Sequence, residues 1–510
     1  MFTADYVIVG AGSAGCVLAA RLSEDAACQV ILLEAGDADD LPEIHDPNKW
    51  PVLWDTSANW GYFTTRQPGL NWRAISCPRG KVLGGTSSIN TMLYVRGDRG
   101  DFEHWRALGN VGWGWNDVLP YFRRSEDFVE GESPLHGTGG PLTVTPQSSP
   151  HALARAFIEA AVDCGHPRND DFNGPEALGA GLYHTTITRQ GKRCSTATAF
   201  LHPHRNRQNL RTLTRARTLR VLLEGDQASG VEVFRNGHLE QVKARCEVIV
   251  CSGAIDSPKL LMLSGVGHAG SLEALGVQVR HSLPGVGAGL VDHIQSGVFL
   301  QTHTQDLPPR SSPLTEAGLF MRARTQEDAF SFGIQFHVPA YAPPWAAARG
   351  RTRGMAINAC VSRPRSRGSV RLRSSDPMDS PIIDPAYLQD VADVGVIVEG
   401  LWAARLIAQR LVDRGDVVRE LLPGPAAMNN QALEQWARTS AECVWHPACT
   451  CRMGRDASAV VDNQLRVHGL RRLRIADASV MPTLTSANTN APTIMIGERA
   501  ADLIRYGNGE

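Results

Sequence analysis

Residues 5–15 read DYVIVGAGSAG, an apolar run that ends in the glycine pattern of Gly10, Gly12 and Gly15. The run is short and β-branched, which predicts a buried strand, and the glycines lie where that strand would turn. The first glycine permits a tight turn, the second lets a phosphate approach the backbone, and the third lets a helix pack closely on the strand. The stretch therefore predicts the start of a nucleotide-binding unit.

The residues that follow complete the pattern of a βαβ unit. Val17, Leu18 and Leu22 recur at helical spacing, and QVILLE (29–34) is a second apolar run that closes at Glu34. A carboxylate at the end of the second strand can accept hydrogen bonds from an adenosine ribose, and it would repel the 2′-phosphate of NADP. The pattern favours NAD or FAD and does not separate these two cofactors.

Composition restricts the functions open to this chain of 510 residues. Its net charge of −1 gives no electrostatic basis for binding nucleic acid or an anionic membrane surface. We find no apolar run of about 18 residues that would predict a transmembrane helix. The N-terminus MFTADYVIVG lacks the basic and apolar regions of a secretory signal, and the eleven cysteines are unevenly spaced. We therefore expect a cytoplasmic protein without membrane insertion.

The rest of the chain predicts a discontinuous nucleotide-binding domain with a second domain inserted. Residues 205–250 contain apolar runs typical of a meander, beginning with LRTLT, and a helix is predicted for 256–264. Near the C-terminus, LRIADAS (473–479) predicts a strand, and Pro492 suits the first turn of a following helix. We assign residues 1–155, 205–295 and 455–510 to the nucleotide-binding domain, and residues 156–204 and 296–454 to a substrate-binding domain.

Two long motifs resemble the signatures of the glucose–methanol–choline (GMC) oxidoreductases. GKVLGGTSSIN (80–90) is similar to the first signature, and GAIDSPKLLMLSGVG (253–267) is similar to the second. WHPACTCRMG (445–454) and DASVMPTLTSANTNAPT (477–493) resemble the catalytic end of the family. The likeness spans residues 4–505.

The resemblance implies an α/β fold, with a Rossmann-type FAD-binding domain and an inserted α+β substrate domain built on an antiparallel sheet flanked by helices. It also implies oxidation of an alcohol by hydride transfer to the flavin. Some members bind FAD covalently through a histidine at the position of Ile89, which has no nucleophile, so we expect noncovalent FAD. The predicted cofactor-binding residues are Gly10, Gly12, Ser13, Gly15, Glu34, Val82, Gly84, Gly85, Ser87, Asn90, Met92, Thr218 and Asp477.

Residues 442–451 read ECVWHPACTC, which places His446 among three cysteines, all of them ligand types of zinc. Structural zinc sites usually draw ligand pairs from separated turns, so this compact run suits a tetrahedral ion poorly. Alcohol oxidation requires the hydroxyl proton to leave, and an imidazole with a pKa of roughly 6.5 suits that task. His446 also matches the family's active-site histidine, and Asn490 matches its partner. We predict both as catalytic and expect no metal; an asparagine at 490 also suits helix capping.

Val444 and Trp445 precede this histidine and predict an apolar pocket. Phe336 and His337 are added to the pocket from the second domain. The predicted activity is oxidation of a primary aromatic or heteroaromatic alcohol to the aldehyde, with oxygen or a quinone as electron acceptor.

Three other functions stay open, one of which is a noncatalytic flavin-binding protein. In a quinone-linked, choline-type dehydrogenase, Glu316 could face a cationic substrate, although a solvated or structural glutamate is favoured at this position. A hydroxynitrile lyase on the same scaffold would keep FAD redox-idle and use the histidine for acid–base cleavage. The sequence does not indicate which alcohol is used, which acceptor reoxidises the flavin, or the oligomeric state.

Overall fold

The computed structural model describes residues 2–303, 314–324, 332–339, 342–350 and 354–507. Its strands are, in chain order, β1 (Phe2–Val9), β2 (Val30–Leu33), β3 (Tyr62–Phe63), β4 (Ser76–Cys77), β5 (Glu126–Phe128), β6 (Leu142–Val144), β7 (Gly179–Leu182), β8 (Leu210–Leu213), β9 (Arg217–Glu224), β10 (Gln227–Arg235), β11 (His238–Val250), β12 (Val266–Gly267), β13 (His281–Ser282), β14 (Ala288–Leu290), β15 (Ile294–Thr302), β16 (Thr315–Met321), β17 (Ile334–Pro339), β18 (Met355–Val361), β19 (Gly368–Arg371), β20 (Ile382–Asp384), β21 (Val417–Leu422), β22 (Glu442–Cys443) and β23 (Leu473–Ile475). Its α-helices are α1 (Ser13–Leu22), α2 (Pro42–His45), α3 (Arg99–Ala107), α4 (Trp115–Ser125), α5 (Ala152–Asp163), α6 (Gly253–Leu263), α7 (Ala269–Glu273), α8 (Pro344–Ala347), α9 (Val391–Asp413), α10 (Asn430–Ser440) and α11 (Asn490–Tyr506).

The first large sheet begins with the glycine-rich stretch. Its order is β8-β2-β1-β11-β10-β9, with β23 paired to β11. Strands β8, β2, β1, β11 and β23 are parallel, whereas β9, β10 and β11 form an antiparallel meander. The run LRTLT, predicted as part of the meander, instead pairs in parallel with β2 at the sheet edge as β8. Strand β2 is buried along its whole length, as its unbroken apolar sequence requires in a covered parallel sheet.

The turn between β1 and α1 depends on the third glycine of the pattern. A Cβ atom at Gly15 would lie 1.9 Å from the carbonyl oxygen of Gly10, so only glycine allows α1 to approach the turn this closely. The apolar residues of α1, including Val17 and Leu18, are buried in the same core as the strands. The carboxyl ends of the parallel strands β1, β2, β11 and β23 lie around this turn, where a large cavity opens.

The second large sheet is antiparallel, in the order β21-β15-β18-β17-β16-β7 with β22 paired to β15. One face packs against α9 and α5, where Leu401 and Phe157 share an apolar core with Ile357 of β18. Because side chains alternate along a strand, the other face carries the polar residues Gln335 and His337 of β17. This polar face is buried as well.

The predicted fold class, an α/β protein with a second antiparallel sheet flanked by helices, is confirmed. The predicted domain boundaries stay a prediction, and three details of the structure differ from them. The boundary at residue 155 falls inside α5, which packs on the second sheet, and β15 of that sheet already begins at Ile294. Ala199 and Phe200, assigned to the substrate domain, are buried in the core of the first sheet. Sequence composition cannot show which core an apolar side chain enters.

None of the helices in the described part of the chain has the length and apolar character that crossing a bilayer requires.

Candidate active site

A large cavity extends from the carboxyl ends of the parallel strands to the loop that carries His446. Together with the solvent at its mouth, it holds about 1670 Å³ of space that protein atoms do not fill. Its lining runs without a break from Gly10 and Glu34 to Trp445 and His446, so one end can hold a nucleotide while the other meets a small substrate. The glycine turn forms one end of the cavity and His446 the other.

The glycine-turn end has the features that a dinucleotide requires. Glu34 accepts hydrogen bonds from the N–H groups of Ala11 (3.0 Å) and Gly36 (2.8 Å), and burial raises its pKa to about 7. Apart from Gly12 and its two chain neighbours, no described residue has a heavy atom nearer than 4.0 Å to a Cβ atom built at Gly12, which leaves room for a pyrophosphate. The buried Thr218 hydroxyl lines the cavity without a hydrogen-bond partner among the described residues. A turn with open space, a carboxylate for a ribose and a free hydroxyl together fit FAD.

A second glycine-rich segment lies directly on the first. Gly85 has a φ of 54°, and a Cβ atom there would lie 2.6 Å from Cα of Gly12, so the two turns touch. The side-chain oxygen of Asn90 accepts hydrogen bonds from the Met92 N–H (3.0 Å) and from Arg193 Nη1 (2.8 Å). This leaves the amide nitrogen of Asn90 for the cavity, which the residue lines. The buried Arg193 was not predicted, because it lies about 100 residues from the turn that it supports.

The predicted cofactor-binding residues divide into two groups. Eight line the cavity: Gly10, Gly12, Ser13, Glu34, Gly85, Asn90, Thr218 and Asp477. Five do not: Gly15, Val82, Gly84, Ser87 and Met92. The Ser87 hydroxyl donates to the Gly84 carbonyl and Met92 packs against Trp50, so these side chains support the wall instead of facing a ligand.

Asp477 and Ile89 also line the cavity. The Asp477 carboxylate accepts hydrogen bonds from the Gly253 N–H (2.9 Å) and the Ser257 hydroxyl (2.6 Å), which fixes the start of α6 against the wall. Asp477 therefore holds a neighbouring helix and borders the cofactor space at once. Ile89 presents only hydrocarbon to the cavity, in keeping with noncovalent binding.

The backbone of the His446 loop is fixed by the segment before β15. The His446 N–H donates to the Asp292 carboxylate (2.7 Å), and the Val444 N–H donates to the His293 carbonyl (3.0 Å). Trp445 between them has a φ of 63°, a left-handed conformation that bulky residues rarely adopt. The loop therefore holds His446 in one position at the cavity wall.

The imidazole of His446 contacts a nitrogen atom on each side. Its Nδ1 lies 2.9 Å from Nδ1 of His293, and its Nε2 lies 3.3 Å from the amide nitrogen of Asn488. Burial lowers the pKa of His446 well below its usual value, and the positive charges of His293, His337 and Arg79 lower it further when present. The ring is therefore neutral near neutral pH and has a lone pair available to accept a proton.

The partner of His446 differs from the prediction. Asn488 contacts the imidazole, whereas Asn490 begins α11 and its side-chain oxygen accepts a hydrogen bond from the Ser13 hydroxyl (2.7 Å). We therefore correct the predicted partner from Asn490 to Asn488. The turn before α11 directs the two side chains to opposite ends of the cavity, which both residues line. The alternative of helix capping by Asn490 is not observed, because the N-cap residue of α11 is Thr489 and no side chain in the described chain caps this end.

Three tryptophans form the apolar wall beside His446. The rings of Trp54 and Trp445 meet edge to face with centroids 4.4 Å apart, and Trp50 lies 5.0 Å from Trp54. All three line the cavity with Val444, so the predicted contribution of Val444 and Trp445 agrees with their position. Trp50 and Trp54 were not predicted, because residues 39–80 show no periodic pattern that would orient them.

Phe336 and His337 do not line the cavity. Strand alternation directs Phe336 into the apolar core beneath α9, so its predicted place in the substrate pocket is corrected. His337 lies on the opposite face, behind the wall, with Nδ1 3.0 Å from the side-chain oxygen of Gln295. Its Nε2 is buried and has no hydrogen-bond partner among the described residues.

The cysteines around His446 do not converge on its ring. The Cys443 thiol donates to the Ser76 carbonyl at 3.4 Å. Burial raises the pKa of the Cys443, Cys449 and Cys451 thiols, so they are protonated and packed. Across the described ranges, no group of three or more histidine, cysteine, aspartate or glutamate side chains is arranged to hold a metal ion.

Known proteins resemble the chain over nearly its whole length. A family model described as GMC oxidoreductase matches residues 4–295, and a second with the same description matches residues 364–497. Alcohol dehydrogenase (acceptor) of Pseudomonas putida is 39% identical over 98% of this chain and 95% of its own. The mitochondrial choline dehydrogenase of Homo sapiens is 40% identical over 98% of this chain and 89% of its own.

A solved structure shares the fold. The crystal structure of pyridoxine 4-oxidase from Mesorbium loti is 37% identical, with a TM-score of 0.94 over 99% of this chain and 100% of that one. The family binds FAD, and the cavity fits FAD by its glycine turn, its carboxylate and the unpaired Thr218 hydroxyl among the described residues. The chain therefore belongs to the GMC oxidoreductases, FAD-dependent enzymes that oxidise alcohols.

Proposed function

We propose that this chain oxidises a primary aromatic or heteroaromatic alcohol to the aldehyde, with His446 as the base. The observation that carries the proposal is the pair formed by His446 Nε2 and the Asn488 amide, 3.3 Å apart at the cavity wall beside the tryptophans. Bound FAD supplies the hydride acceptor. The residues of the chain bind and orient the alcohol and remove its hydroxyl proton.

His446 and Asn488 have different roles toward the hydroxyl group of the alcohol. The neutral imidazole of His446 accepts the hydroxyl proton at Nε2 as the carbinol carbon loses its hydride. The Asn488 amide donates a hydrogen bond to the alcohol oxygen and does not titrate, so it stabilises developing charge there without competing for the proton. Burial of both side chains limits access of water to the reacting atoms.

The tryptophan wall favours a flat, apolar substrate. Rings that pack offset or edge to face against Trp54 and Trp445 gain about 0.5–1.5 kcal/mol beyond burial of their area. Similarity to pyridoxine 4-oxidase, whose name specifies a heteroaromatic alcohol, supports the same substrate class here.

A choline-type dehydrogenase is the second candidate, favoured by the relatives named choline dehydrogenase and by the attraction of tryptophan faces for quaternary ammonium. The described carboxylates that line the cavity, Glu34, Asp256 and Asp477, belong to the glycine-turn end. Glu316 accepts a hydrogen bond from the His151 N–H (2.6 Å) and does not line the cavity. The described residues of the wall near His446 therefore include no carboxylate that could bind a cationic substrate. For this reason we propose an aromatic alcohol as the substrate in preference to choline.

A panel of alcohols mixed with the yellow enzyme under anaerobic conditions tests the proposal. We expect aryl and heteroaryl methanols to bleach the flavin faster than choline or straight-chain alcohols of similar size. His446→Ala should slow bleaching by at least about 10²-fold while the protein retains FAD. Bleaching by choline alone would support the second candidate, and cleavage of a cyanohydrin with an unchanged spectrum would support a lyase.

The electron acceptor requires its own assay. We propose oxygen or a quinone, and the same preparation assayed for peroxide and for reduction of a quinone dye identifies which of them reoxidises the flavin. Peroxide formed in proportion to aldehyde would identify an oxidase.

We also propose a cytoplasmic location. All eleven cysteines lie in the described part of the chain, and none of them is paired there. Unpaired thiols in this number suit a reducing compartment. Fractionation of cells that express the chain tests this location.

A further inference from the structure

We infer that His293 and Gln335 are positioning residues that hold His446 in the tautomer whose Nε2 is unprotonated. They act through a buried chain of hydrogen bonds that is anchored at both ends on backbone carbonyls. The inference rests on the proposed function of His446 as the base, and it specifies which nitrogen of that base is active and what fixes it.

The first anchor is the carbonyl of Ser362, which can only accept a hydrogen bond. It lies 2.8 Å from His293 Nε2, so that nitrogen carries a proton. Burial lowers the pKa of His293 to about 4, so near neutral pH the ring has a single N–H and a lone pair on Nδ1. That lone pair faces His446 Nδ1 at 2.9 Å, and a hydrogen bond forms only if His446 Nδ1 donates.

The second anchor is the carbonyl of Phe336, which accepts a hydrogen bond from the Tyr183 hydroxyl (2.7 Å). The Tyr183 oxygen therefore accepts from Gln335 Nε2 (3.1 Å), and the same amide group donates to the side-chain oxygen of Asn488 (3.1 Å). The other end of the Asn488 amide is then its NH₂ group, which faces His446 Nε2 at 3.3 Å. A donor at that position requires a lone pair on Nε2.

The two ends of this chain of hydrogen bonds independently require the same tautomer of His446. Both leave the neutral His446 ring with its proton on Nδ1 and its lone pair on Nε2, at the cavity. The other tautomer would bring two N–H groups together at Asn488 and two lone pairs together at His293, and both contacts are buried. The side chains of His293, Gln335 and Tyr183 are fully buried, so water does not compete for these bonds.

These hydrogen bonds also determine which atom receives the hydroxyl proton of the alcohol. When the alcohol O–H bond breaks, the proton forms the N–H bond at His446 Nε2, and the oxygen electron pair becomes part of the carbonyl as hydride leaves. The Nδ1–H bond toward His293 is unchanged, because His293 Nε2 is already committed to the Ser362 carbonyl. One proton therefore moves, and His293 keeps its own.

The tautomer can be read directly by nitrogen NMR of FAD-loaded protein labelled with ¹⁵N-histidine, with His446→Ala used to assign the signal. We expect an unprotonated Nε2 in the wild type. His293→Leu removes the acceptor and should move His446 toward the tautomer protonated at Nε2. His293→Asn places an oxygen near the former Nδ1 and should restore the wild-type tautomer. Gln335→Leu breaks the hydrogen bonds toward the Phe336 carbonyl and should likewise move His446 toward the tautomer protonated at Nε2.

Gln295→Leu is the matched control. Gln295 lies on the same polar face of the second sheet, but its hydrogen bond is to His337, which is not part of the hydrogen-bond chain that ends on Ser362 and Phe336. Flavin bleaching should slow in His293→Leu by about tenfold or more, toward the roughly 10⁴-fold of a base held in the wrong tautomer. His293→Asn should recover much of that loss, and Gln295→Leu should react like the wild type.

The pH profile of bleaching gives a further readout. Loss of the His293 acceptor should lower the pKa of His446, because the protonated ring loses a hydrogen bond. The other charged groups that act on the ring, His337 and Arg79, are unchanged in this variant, as is Asp292, which binds the backbone N–H of His446.

Because each single variant keeps the other anchor, an unchanged tautomer in the double variant His293→Leu/Gln335→Leu would overturn the inference, as would bleaching within about twofold of the wild type in that double variant. Should the leucine variants misfold, the tautomer of His446 in the wild type and in His293→Asn still tests the inference. A protonated Nε2 of His446 in either protein is incompatible with the proposed hydrogen bonds. If the tautomer responds as expected but no alcohol bleaches the flavin, the proposed function fails and the positioning role stands.

Discussion

His446 faces nitrogen atoms on both sides of its ring, those of His293 and Asn488, where many catalytic histidines face a carboxylate. A carboxylate partner would stabilise the imidazolium and raise the pKa of the ring. Here burial dominates and lowers that pKa, so the ring stays neutral well below neutral pH, and as the proposed base it would release a captured proton readily. The rate of flavin reduction should therefore hold as pH falls through the ordinary histidine range.

The two asparagines before and at the start of α11 should have separable effects. Asn488→Ala removes the donor beside His446 and should slow flavin bleaching by about 10²-fold with FAD content unchanged. Asn490→Ala removes the acceptor of the Ser13 hydroxyl and should weaken FAD retention, with little change in bleaching per bound flavin. Stopped-flow rates and the flavin-to-protein ratio after dialysis measure the two effects. Reversed outcomes would restore Asn490 as the partner of the base.

Sequence reasoning could reach single residues where the reason was chemical, although their roles stay predictions. Glu34 and His446 were predicted from what a ribose and a proton transfer require, and both line the cavity. The choice between Asn488 and Asn490 depends on backbone torsion in one turn, and no feature of the string ANTNAP reports that torsion. His293 had no signal of its own, because its role arises only when β15 brings it to the His446 loop.

At the scale of elements, the βαβ unit was predictable because its signals are local. The glycines, the apolar runs and the carboxylate all lie within residues 5–34, and β1, α1 and β2 form there. The polar face of the second sheet was not predictable, because its strands β15, β17 and β18 pair across long sequence separations. A pattern within one strand gives two faces but does not say which face meets the active site.

The glycine turn offers a matched pair of substitutions. Gly12→Ala should fold normally, since the added methyl meets nothing nearer than 4.0 Å and the φ of −80° suits alanine. The same methyl occupies the pyrophosphate space, so FAD affinity should fall by at least about tenfold. Gly15→Ala places its methyl 1.9 Å from the Gly10 carbonyl and should lower the melting temperature of the apoprotein itself. Equal melting of the two apoproteins would contradict this division of roles.

Three buried histidines on and beside the second sheet should make the fold acid-sensitive. Burial lowers the pKa of His293 to about 4, of His337 to about 3, and of His446 well below its usual value. The folded state then binds fewer protons than the unfolded state once pH falls below about 6.5, so stability is complete above that value and declines below it. Each histidine contributes a slope of up to about 1.4 kcal/mol per pH unit.

Urea midpoints at about pH 7.5 and about pH 5 measure this decline. His337→Leu should reduce it by one histidine's share, because His337 titrates on unfolding but lies behind the cavity wall. The substitution also removes a buried nitrogen that has no partner in the described chain. An undiminished decline in this variant would mean that His337 is protonated in the folded state.

At the scale of the whole molecule, the first and last parts of the described chain pack together in one domain core. Strand β23 joins β11 in the first sheet, and α11 packs in the core that contains α1. The cavity thus takes its walls from residues near both ends of the chain. The sequence indicated this return because a strand and helix recur after residue 473, although the boundaries of the inserted part could not be located from composition.

Glu498 of α11 is the polar link in that core. Its fully buried carboxylate accepts hydrogen bonds from Arg21 of α1 (2.8 and 2.9 Å) and from Arg124 of α4 (2.8 Å), so one side chain ties three helices together. Glu498→Gln keeps the volume but removes the charge. We expect a loss of roughly 3 kcal/mol, the low end for breaking a buried ion pair, because both arginines can still reach water.

The exposed pair of Asp226 and Arg471 provides the control for Glu498→Gln. Asp226→Asn removes an ion pair of similar length between side chains that are 56% and 67% exposed, so its melting temperature should match the wild type. Because α11 begins with Asn490 at the cavity, Glu498→Gln should also release FAD more readily at temperatures where the protein is still folded. Wild-type melting and wild-type FAD retention in Glu498→Gln would show that apolar packing alone holds α11 against α1, and that the buried charge contributes nothing to holding them together.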